Sequence, residues 1–372
     1  MARITFDDSK GFCYMNSLDD EIPKSKNKEM EVTNGFDLLP WDKHVIDEED
    51  EVEDESEQQH EEQSSKKTKK LTKQERREQR QQKKINASRN RMLKRQQELS
   101  TAAIDDTKNV EDNPFAIQQD IKKLYSKITK TSGSAIKKDF KIFQYQSVAL
   151  YKSDIEHILP EEWINDNNIS FVYELITQMF LVKTENKFSY QIQLLYPSLV
   201  QLFLHIPIGN DFENILPIKE LQKSKFIFIP VNYIDNYQQI DLEQANNGDH
   251  WVLCLLNLIN NKLYVYNSMH DLDDENNELL KELTKRLKLC KSIIRNNSSI
   301  EIIQMKCDQQ TNFNDCGVYV SMMTCCLIER LLYDKAINLD ISNIKFNALR
   351  GRLYMLELIY KLSRQLIVAQ NL

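Results

Sequence analysis

GDHWVLCLLNLINNKLYVYNSM occupies residues 248–269 and contains two apolar runs on either side of a short polar turn. The first run covers residues 251–259 and the second covers residues 263–266. Short, dense runs of this kind are typical of β-strands, and the polar connection at residues 260–262 is typical of a hairpin. We therefore predict two antiparallel strands that belong to one sheet.

Further elements follow on both sides of this hairpin. Apolar residues at helical spacing predict helices, and shorter dense runs predict strands. The predicted helices cover residues 169–180, 198–205, 275–289, 317–333 and 343–366, and the predicted strands cover residues 226–231 and 300–305. Helices that flank a central, mainly antiparallel sheet make an α+β domain. The sequence shows no internal repeat.

The first third of the chain has a different composition. Residues 47–62 form an acidic block, and residues 66–95 form a basic block with almost no apolar side chains. Such segments bury too little apolar surface to fold alone, so we predict a largely disordered, charged arm over residues 1–135 and a catalytic domain over residues 136–372. The basic block also matches nuclear-localisation or nucleic-acid-contacting segments, but a solvated arm is the favoured interpretation. Whether residues 112–125, which are weakly periodic, dock on the domain stays open.

Charge and cysteine usage limit the classes of function. The net charge of −7 gives no case for global binding of nucleic acid. The seven cysteines include no CxxC pair, which argues against a zinc ribbon and favours reduced thiols inside a cell. We find no signal peptide and no stretch of about 18 apolar residues, so we expect a cytoplasmic or nuclear protein without a membrane span.

Residues 309–317 read QQTNFNDCG and directly precede an apolar helix. Cys316 would therefore lie at a helix N-terminus, where unpaired N–H groups and the helix dipole favour a thiolate and lower the thiol pKa. Gly317 would let a substrate approach the backbone. The N–H group beside the nucleophile and the side-chain amide of Gln310 could both donate to an oxyanion.

His250 begins one strand of the hairpin, and Asn267 ends the other. Strand pairing could bring them within hydrogen-bond reach, so that Asn267 Oδ1 accepts from the imidazole and leaves the other ring nitrogen for Cys316. Taken singly, each of these residues is more often structural than catalytic. Their joint occurrence favours an enzyme. His270, beside Asp271, is the rival base, in a charged stretch that is a poor place for a preorganised group.

These motifs resemble those of the Ulp/sentrin-specific cysteine proteases, which process ubiquitin-like modifiers. Four short motifs carry the resemblance: Gly248-Asp249-His250-Trp251, Asn267-Ser268, Gln310 with Cys316, and Trp163-Ile164-Asn165-Asp166 before a helix. The resemblance covers roughly residues 140–366 and is greatest to the deneddylating branch. It implies the architecture of the papain-like cysteine protease superfamily.

The resemblance also implies how substrate would bind. Trp163 and Trp251 would wall a narrow tunnel that admits only a Gly-Gly tail, since glycine has no side chain. Asp166 would contact the modifier or its tail, with an N-cap as the alternative role. The implied partner is a ubiquitin-like modifier, of the NEDD type or SUMO, together with its conjugates.

One position departs from the family pattern. The family usually carries Asp where this chain has Asn267, and a neutral amide stabilises an imidazolium less than a carboxylate does. Taken together, the resemblance implies a thiol protease that cuts after the Gly-Gly of a NEDD-type modifier, and its chemistry requires no metal or cofactor. A SUMO-specific protease and a catalytically weak, modifier-binding pseudoenzyme are the alternatives.

Overall fold

The computed structural model describes only part of the chain. It covers residues 113–130, 139–182, 188–209, 212–234, 248–269, 277–294, 299–334 and 336–370, with the backbone of residues 3–7 and 12–16. Several segments lie outside the described residues: the acidic and basic blocks, the loop at residues 236–247 and the pair His270-Asp271.

The described strands are named in chain order: β1 Arg3–Asp7, β2 Phe12–Asn16, β3 Lys141–Tyr145, β4 Val148–Tyr151, β5 Ile192–Leu194, β6 Phe226–Tyr233, β7 His250–Asn257, β8 Lys262–Tyr266 and β9 Glu301–Met305. The described α-helices are α1 Pro114–Lys130, α2 Lys152–Glu156, α3 Asp166–Ile176, α4 Pro197–His205, α5 Ile218–Leu221, α6 Glu278–Leu289, α7 Cys316–Tyr333 and α8 Ala348–Gln370. A π-helical turn, Thr177–Val182, extends α3, and short 3₁₀ turns cover Ser189–Gln191 and Phe212–Ile215.

The central sheet has five strands in the order β5-β6-β7-β8-β9. The β6–β7 and β7–β8 pairs are antiparallel, whereas the two edge strands β5 and β9 pair in parallel with their neighbours. The predicted hairpin is confirmed, with Tyr266 opposite Leu253 and Lys262 opposite Asn257. Its turn contains Asn261 at a φ of 54°, a left-handed conformation that asparagine tolerates well. The α+β prediction is therefore confirmed.

The two faces of the sheet carry two separate apolar cores. Side chains alternate between the faces along a strand, so β7 contributes Leu253 and Leu255 to one core and Val252 and Cys254 to the other. The first core contains α3, α7 and α8, and the second contains α4 and α6. All eight residues of β7 are buried, so the strand is fixed by packing on both sides.

Helix α7 is the core helix of the first layer. It is long and apolar enough to cross a membrane, with a mean hydropathy of 1.3 over 18 residues, contrary to the expectation that no such stretch exists. The fold accounts for that composition, because 78% of the helix is buried within the protein. Cys325 and Cys326 lie in α7 among these buried residues, as predicted.

Helix α1 packs on the domain although it lies inside the predicted arm. Ile117, Ile121 and Ile128 are spaced for one helical face, and all three are buried in the first core where α1 contacts α8. The structure thus answers whether residues 112–125 dock on the domain: helix α1, which begins at Pro114, does so. The packed region begins by Pro114 rather than at residue 136, because three isoleucines at helical spacing outweigh the polar residues around them.

Docking of α1 predicts a specific loss of stability. Ile121 has no exposed surface. Ile121→Ala in the full chain should lower the free energy of unfolding by about 2–5 kcal/mol, the range for large-to-small changes in a core. Denaturant unfolding measures the change. Lys123→Ala, on the exposed face of the same helix, is the matched control and should change stability by less than about 0.5 kcal/mol. Equal, small effects of the two changes would show that α1 does not dock.

Candidate active site

The hairpin brings the predicted base and its partner together. His250 is the first residue of β7, and Asn267 directly follows β8. The distance between His250 Nε2 and Asn267 Oδ1 is 2.8 Å, and both side chains are buried. Asn267 Oδ1 also accepts the backbone N–H of Met269 at 2.9 Å. The predicted contact is therefore present.

The second hydrogen bond identifies the tautomer of His250. A backbone N–H can only donate, so the Asn267 atom that it meets must be the amide oxygen. Because that oxygen can only accept, the proton of a neutral His250 ring lies on Nε2. Nδ1 then carries the lone pair, and no hydrogen-bond partner reaches it among the described residues. Nδ1 is the nitrogen that is able to accept a proton.

Burial sets the charge of His250. The side chain is only 4% exposed, and burial lowers the pKa of His250 to about 4, although the Asn267 hydrogen bond offsets part of the fall. A neutral amide adds no negative charge that would hold a proton on the ring. The imidazole is therefore neutral near pH 7 and acts as a free base in the resting protein.

Cys316 is the first residue of α7, next to the N-cap residue Asp315. Burial raises the pKa of the Cys316 thiol to about 11, and the N–H groups of Trp251 and Gly317 offset only part of that rise. The expectation that the helix N-terminus lowers this pKa is wrong for the resting state, because desolvation of a buried thiolate outweighs its two N–H donors. Cys316 is thus a neutral thiol and His250 a neutral base, and no hydrogen bond joins His250 Nδ1 to Cys316 in the resting state.

Gly317 has a packing role. A Cβ atom at this position would lie 2.7 Å from Ile164 Cβ and 3.3 Å from Trp251 Cδ1. The missing side chain therefore admits Ile164 and Trp251, where the sequence had suggested access for substrate. Trp251 donates its indole N–H to the carbonyl oxygen of Ile164 at 3.0 Å, which joins the start of β7 to the segment before α3.

A buried ion pair holds Asp315, the residue before Cys316. Arg352 of α8 has no exposed surface, and its Nε and Nη2 lie 3.0 and 2.8 Å from Asp315 Oδ1. The same guanidinium donates to the carbonyl oxygens of Leu159 at 2.8 Å, Glu162 at 2.7 Å and Asn314 at 3.0 Å. Its charge also opposes the effect of Asp315, which raises the pKa of Cys316. One side chain thus joins α8, the loop before Cys316 and the segment before Trp163.

Gln310 is held inside the same loop. Its side chain is buried, and its Nε2 donates to the carbonyl oxygen of Asn312 at 2.7 Å. Asn312 in turn donates from Nδ2 to Asp315 Oδ2 at 2.7 Å and accepts the backbone N–H of Asp315. A continuous chain of hydrogen bonds therefore runs from Gln310 to the residue before Cys316.

The predicted substrate contacts lie before α3. Trp163 is 37% exposed, whereas Trp251 is 6% exposed, so Trp163 offers far more surface to a ligand. The N-cap of α3 is Asn165, which accepts the backbone N–H of Asn168, so the alternative role of Asp166 as N-cap is wrong. Asp166 is exposed in the first turn. Its contact with a modifier and the tunnel formed by Trp163 and Trp251 stay predictions.

A buried carboxylate explains the polar residues of this segment. Asp154 accepts from the side-chain amides of Asn165 and Asn167, both at 2.8 Å, and from the backbone N–H of Tyr151 at 2.7 Å. Asn168 donates to the backbone carbonyl of Asp154 at 2.9 Å. The three asparagines therefore fix the backbone that presents Trp163.

Sequence reasoning missed the supporting contacts that several residues make around the site. Asp154, Ser268, Asn312 and Arg352 are buried or part-buried and contact predicted site residues or their neighbours. The asparagines of residues 312–314 do carry a turn signal. A single arginine in a long helix, such as Arg352, carries no sequence signal that would mark it as part of the site. Among the described residues, no group of three or more His, Cys, Asp and Glu could hold a metal ion.

Comparison with known proteins finds one matching family and several similar proteases. A sequence model of the Ulp1 protease family, C-terminal catalytic domain, matches residues 162–363, more than half of the 372-residue chain. NEDD8-specific protease 2 of Schizosaccharomyces pombe is 30% identical over 59% of this chain and 50% of its own length. NEDD8-specific protease 1 of the same organism is 27% identical over 52% of this chain and 42% of its own length. The chain thus spans about half the length of these relatives.

A solved structure of a C-terminal Ulp1 protease domain in complex with Smt3, the yeast orthologue of SUMO, is also similar. It is 19% identical, with a TM-score of 0.44 over 64% of this chain and 94% of that one.

The thiol pKa predicts how Cys316 reacts. Only a thiolate is alkylated by iodoacetamide, and a pKa of about 11 leaves about one thiolate in a thousand at pH 8. The alkylation rate of Cys316 in the full chain, followed by peptide mass spectrometry, should therefore rise with pH and still be rising at about pH 10.

Asn267→Asp should raise the alkylation rate near pH 7. A carboxylate beside the ring raises the pKa of His250, and the resulting imidazolium stabilises the thiolate. Asn267→Ala removes the partner without adding charge and serves as the control that should show no such gain. A wild-type rate that is already constant above pH 7 would contradict the neutral resting pair.

Proposed function

The chain belongs to the Ulp1 protease family, and on this premise we propose that it hydrolyses the peptide or isopeptide bond after the C-terminal Gly-Gly of a ubiquitin-like modifier of the NEDD8 type. One observation carries the chemistry: His250 makes a hydrogen bond to Asn267 through Nε2 and keeps Nδ1 unpaired. Trp251, the next residue of β7, packs at the start of the helix that begins with Cys316. Relatives named NEDD8-specific proteases support the choice of modifier.

The first half-reaction forms a thioester. Cys316 Sγ attacks the carbonyl carbon of the terminal glycine while His250 Nδ1 takes the thiol proton, and the carbonyl electron pair moves to oxygen. A second N–H of Gln310 and the backbone N–H of Cys316, unpaired in the first turn of α7, donate to that oxyanion. His250 then gives its proton to the leaving amine as the C–N bond breaks.

The second half-reaction releases the modifier. His250 takes a proton from water, whose oxygen attacks the thioester carbon, and the second oxyanion occupies the same donors. Collapse breaks the C–S bond, and the sulfur recovers its proton from His250. Asn267 keeps the ring in one tautomer throughout, because its oxygen stays hydrogen-bonded to Nε2.

The neutral side chain of Asn267, the partner of His250, bears on the alternative function, a modifier-binding protein with weak catalysis. Proton transfer from a buried thiol creates two charges in a dry site, and Asn267 stabilises the imidazolium less than a carboxylate would. The unpaired Nδ1 of His250, its hydrogen bond to Asn267 and the position of Cys316 at the start of α7 nevertheless support catalysis. We therefore place the protein among active proteases, with a barrier that a carboxylate at position 267 should lower.

A panel of fluorogenic modifiers tests the substrate class. NEDD8, SUMO and ubiquitin, each with a C-terminal aminocoumarin, are offered to the full chain. We expect kcat/KM for the NEDD8 substrate to exceed the others by at least about tenfold, since the modifier surface decides the choice. Preference for SUMO would transfer the proposal to that modifier. Binding of a modifier without release of coumarin would leave the weak-catalysis alternative.

Two cysteine variants test the nucleophile. Cys316→Ala should abolish coumarin release and leave NEDD8 binding measurable, because affinity comes from a broad surface and the thiol touches only the tail. Cys325→Ala removes a buried thiol of the same helix and should keep nearly full turnover, with a modest loss of stability. Turnover by Cys316→Ala at the wild-type rate would remove Cys316 from the mechanism.

A further inference from the structure

Ser268 lies directly after Asn267 and is buried. Its hydroxyl donates to Gln310 Oε1 at 2.6 Å, and its carbonyl oxygen accepts the backbone N–H of Gln310 at 3.0 Å. Ser268 therefore holds Gln310 at both its backbone and its side chain. Two consecutive residues at the end of β8 thus reach different parts of the site: Asn267 reaches His250, and Ser268 reaches Gln310.

The contacts of Gln310 allow only one orientation of its amide. Nε2 faces the carbonyl oxygen of Asn312 at 2.7 Å. A flipped amide would place Oε1 against that carbonyl, so that two acceptors would meet without a proton between them. In the observed orientation Oε1 takes the proton of Ser268, and Nε2 keeps a second N–H that no described acceptor uses. That free N–H is what an oxyanion donor needs.

From this geometry we propose that Ser268 is a positioning residue for the oxyanion donor Gln310. The inference rests on the proposed protease function and assigns to Ser268 no contact with the reacting atoms. Without the hydroxyl, Oε1 would be a buried acceptor that lacks its donor, a state that proteins avoid. Gln310 would then turn to satisfy Oε1 elsewhere, and its N–H would leave the oxyanion.

The role predicts an effect on kcat that passes only through Gln310. The measurements use the full chain and NEDD8 with a C-terminal aminocoumarin. Gln310→Ala should lower kcat by about 10²- to 10³-fold, as for other oxyanion donors. Ser268→Ala should lower kcat by at least about tenfold but by no more than Gln310→Ala, with KM and the pH midpoints unchanged, because the donor acts in the transition state.

A double-mutant cycle separates positioning from a general structural role. If Ser268 acts only through Gln310, the double variant should match Gln310→Ala within about threefold, since the second change removes a support that no longer has a function. Multiplied losses, or pH midpoints of kcat that differ from those of wild type, would overturn the proposal. Ser268→Cys nearly preserves the volume with a weaker donor, and its kcat should lie between those of wild type and Ser268→Ala.

A crystal structure of Ser268→Ala tests the positioning without any turnover. The Gln310 amide should have turned away from the carbonyl oxygen of Asn312. An unchanged Gln310 side chain would overturn the proposal, whether or not the protein cleaves a modifier. Absence of wild-type turnover on every modifier of the panel would instead count against the proposed function, so the two ideas fail on different measurements.

Discussion

The hydrogen bond between His250 Nε2 and Asn267 Oδ1 joins the start of β7 to the end of β8. Everything chemical in the site depends on it, because it decides which ring nitrogen carries the proton and therefore which one is free to take another. The bond is itself secured by the N–H of Met269, which fixes the amide orientation of Asn267. The register of one hairpin thus sets the tautomer of one imidazole.

Burial makes it costly to form a charge on either His250 or Cys316. His250 and Cys316 are both buried, and burial lowers the pKa of His250 to about 4 and raises the pKa of Cys316 to about 11, so each keeps its neutral form near pH 7. The loop before Cys316 also contains a buried ion pair, Arg352 with Asp315. Removing one partner of such a pair typically costs about 3–5 kcal/mol, because the other charge is left buried without its partner.

Much of this was predictable from the sequence, and the reasons are physical. The hairpin, the strand β6 and the helices α3, α4 and α7 carry their own periodicity, so local patterns sufficed to place them. The contact between His250 and Asn267 was predicted from strand pairing, and the two residues meet just beyond the last paired residues, Leu253 and Tyr266. Their roles in catalysis, and that of Cys316, remain proposals.

What sequence reasoning missed depends on contacts between distant segments. Arg352 meets Leu159 and Asp315 from a helix far along the chain, and no local pattern marks such a residue. The raised pKa of Cys316 likewise comes from packing around the thiol, which a helix start does not reveal. Helix α1 was assigned to the arm because its charged residues obscured three isoleucines that only a partner helix could bury.

The central claim is that resting His250 is a neutral base with its proton on Nε2. The most direct test is a ¹⁵N NMR measurement of the ring nitrogens of His250 in the full chain at neutral pH, assigned by comparison with His250→Gln. The account predicts one protonated nitrogen, Nε2, and an unprotonated Nδ1. A doubly protonated ring, or a proton on Nδ1 alone, would contradict it.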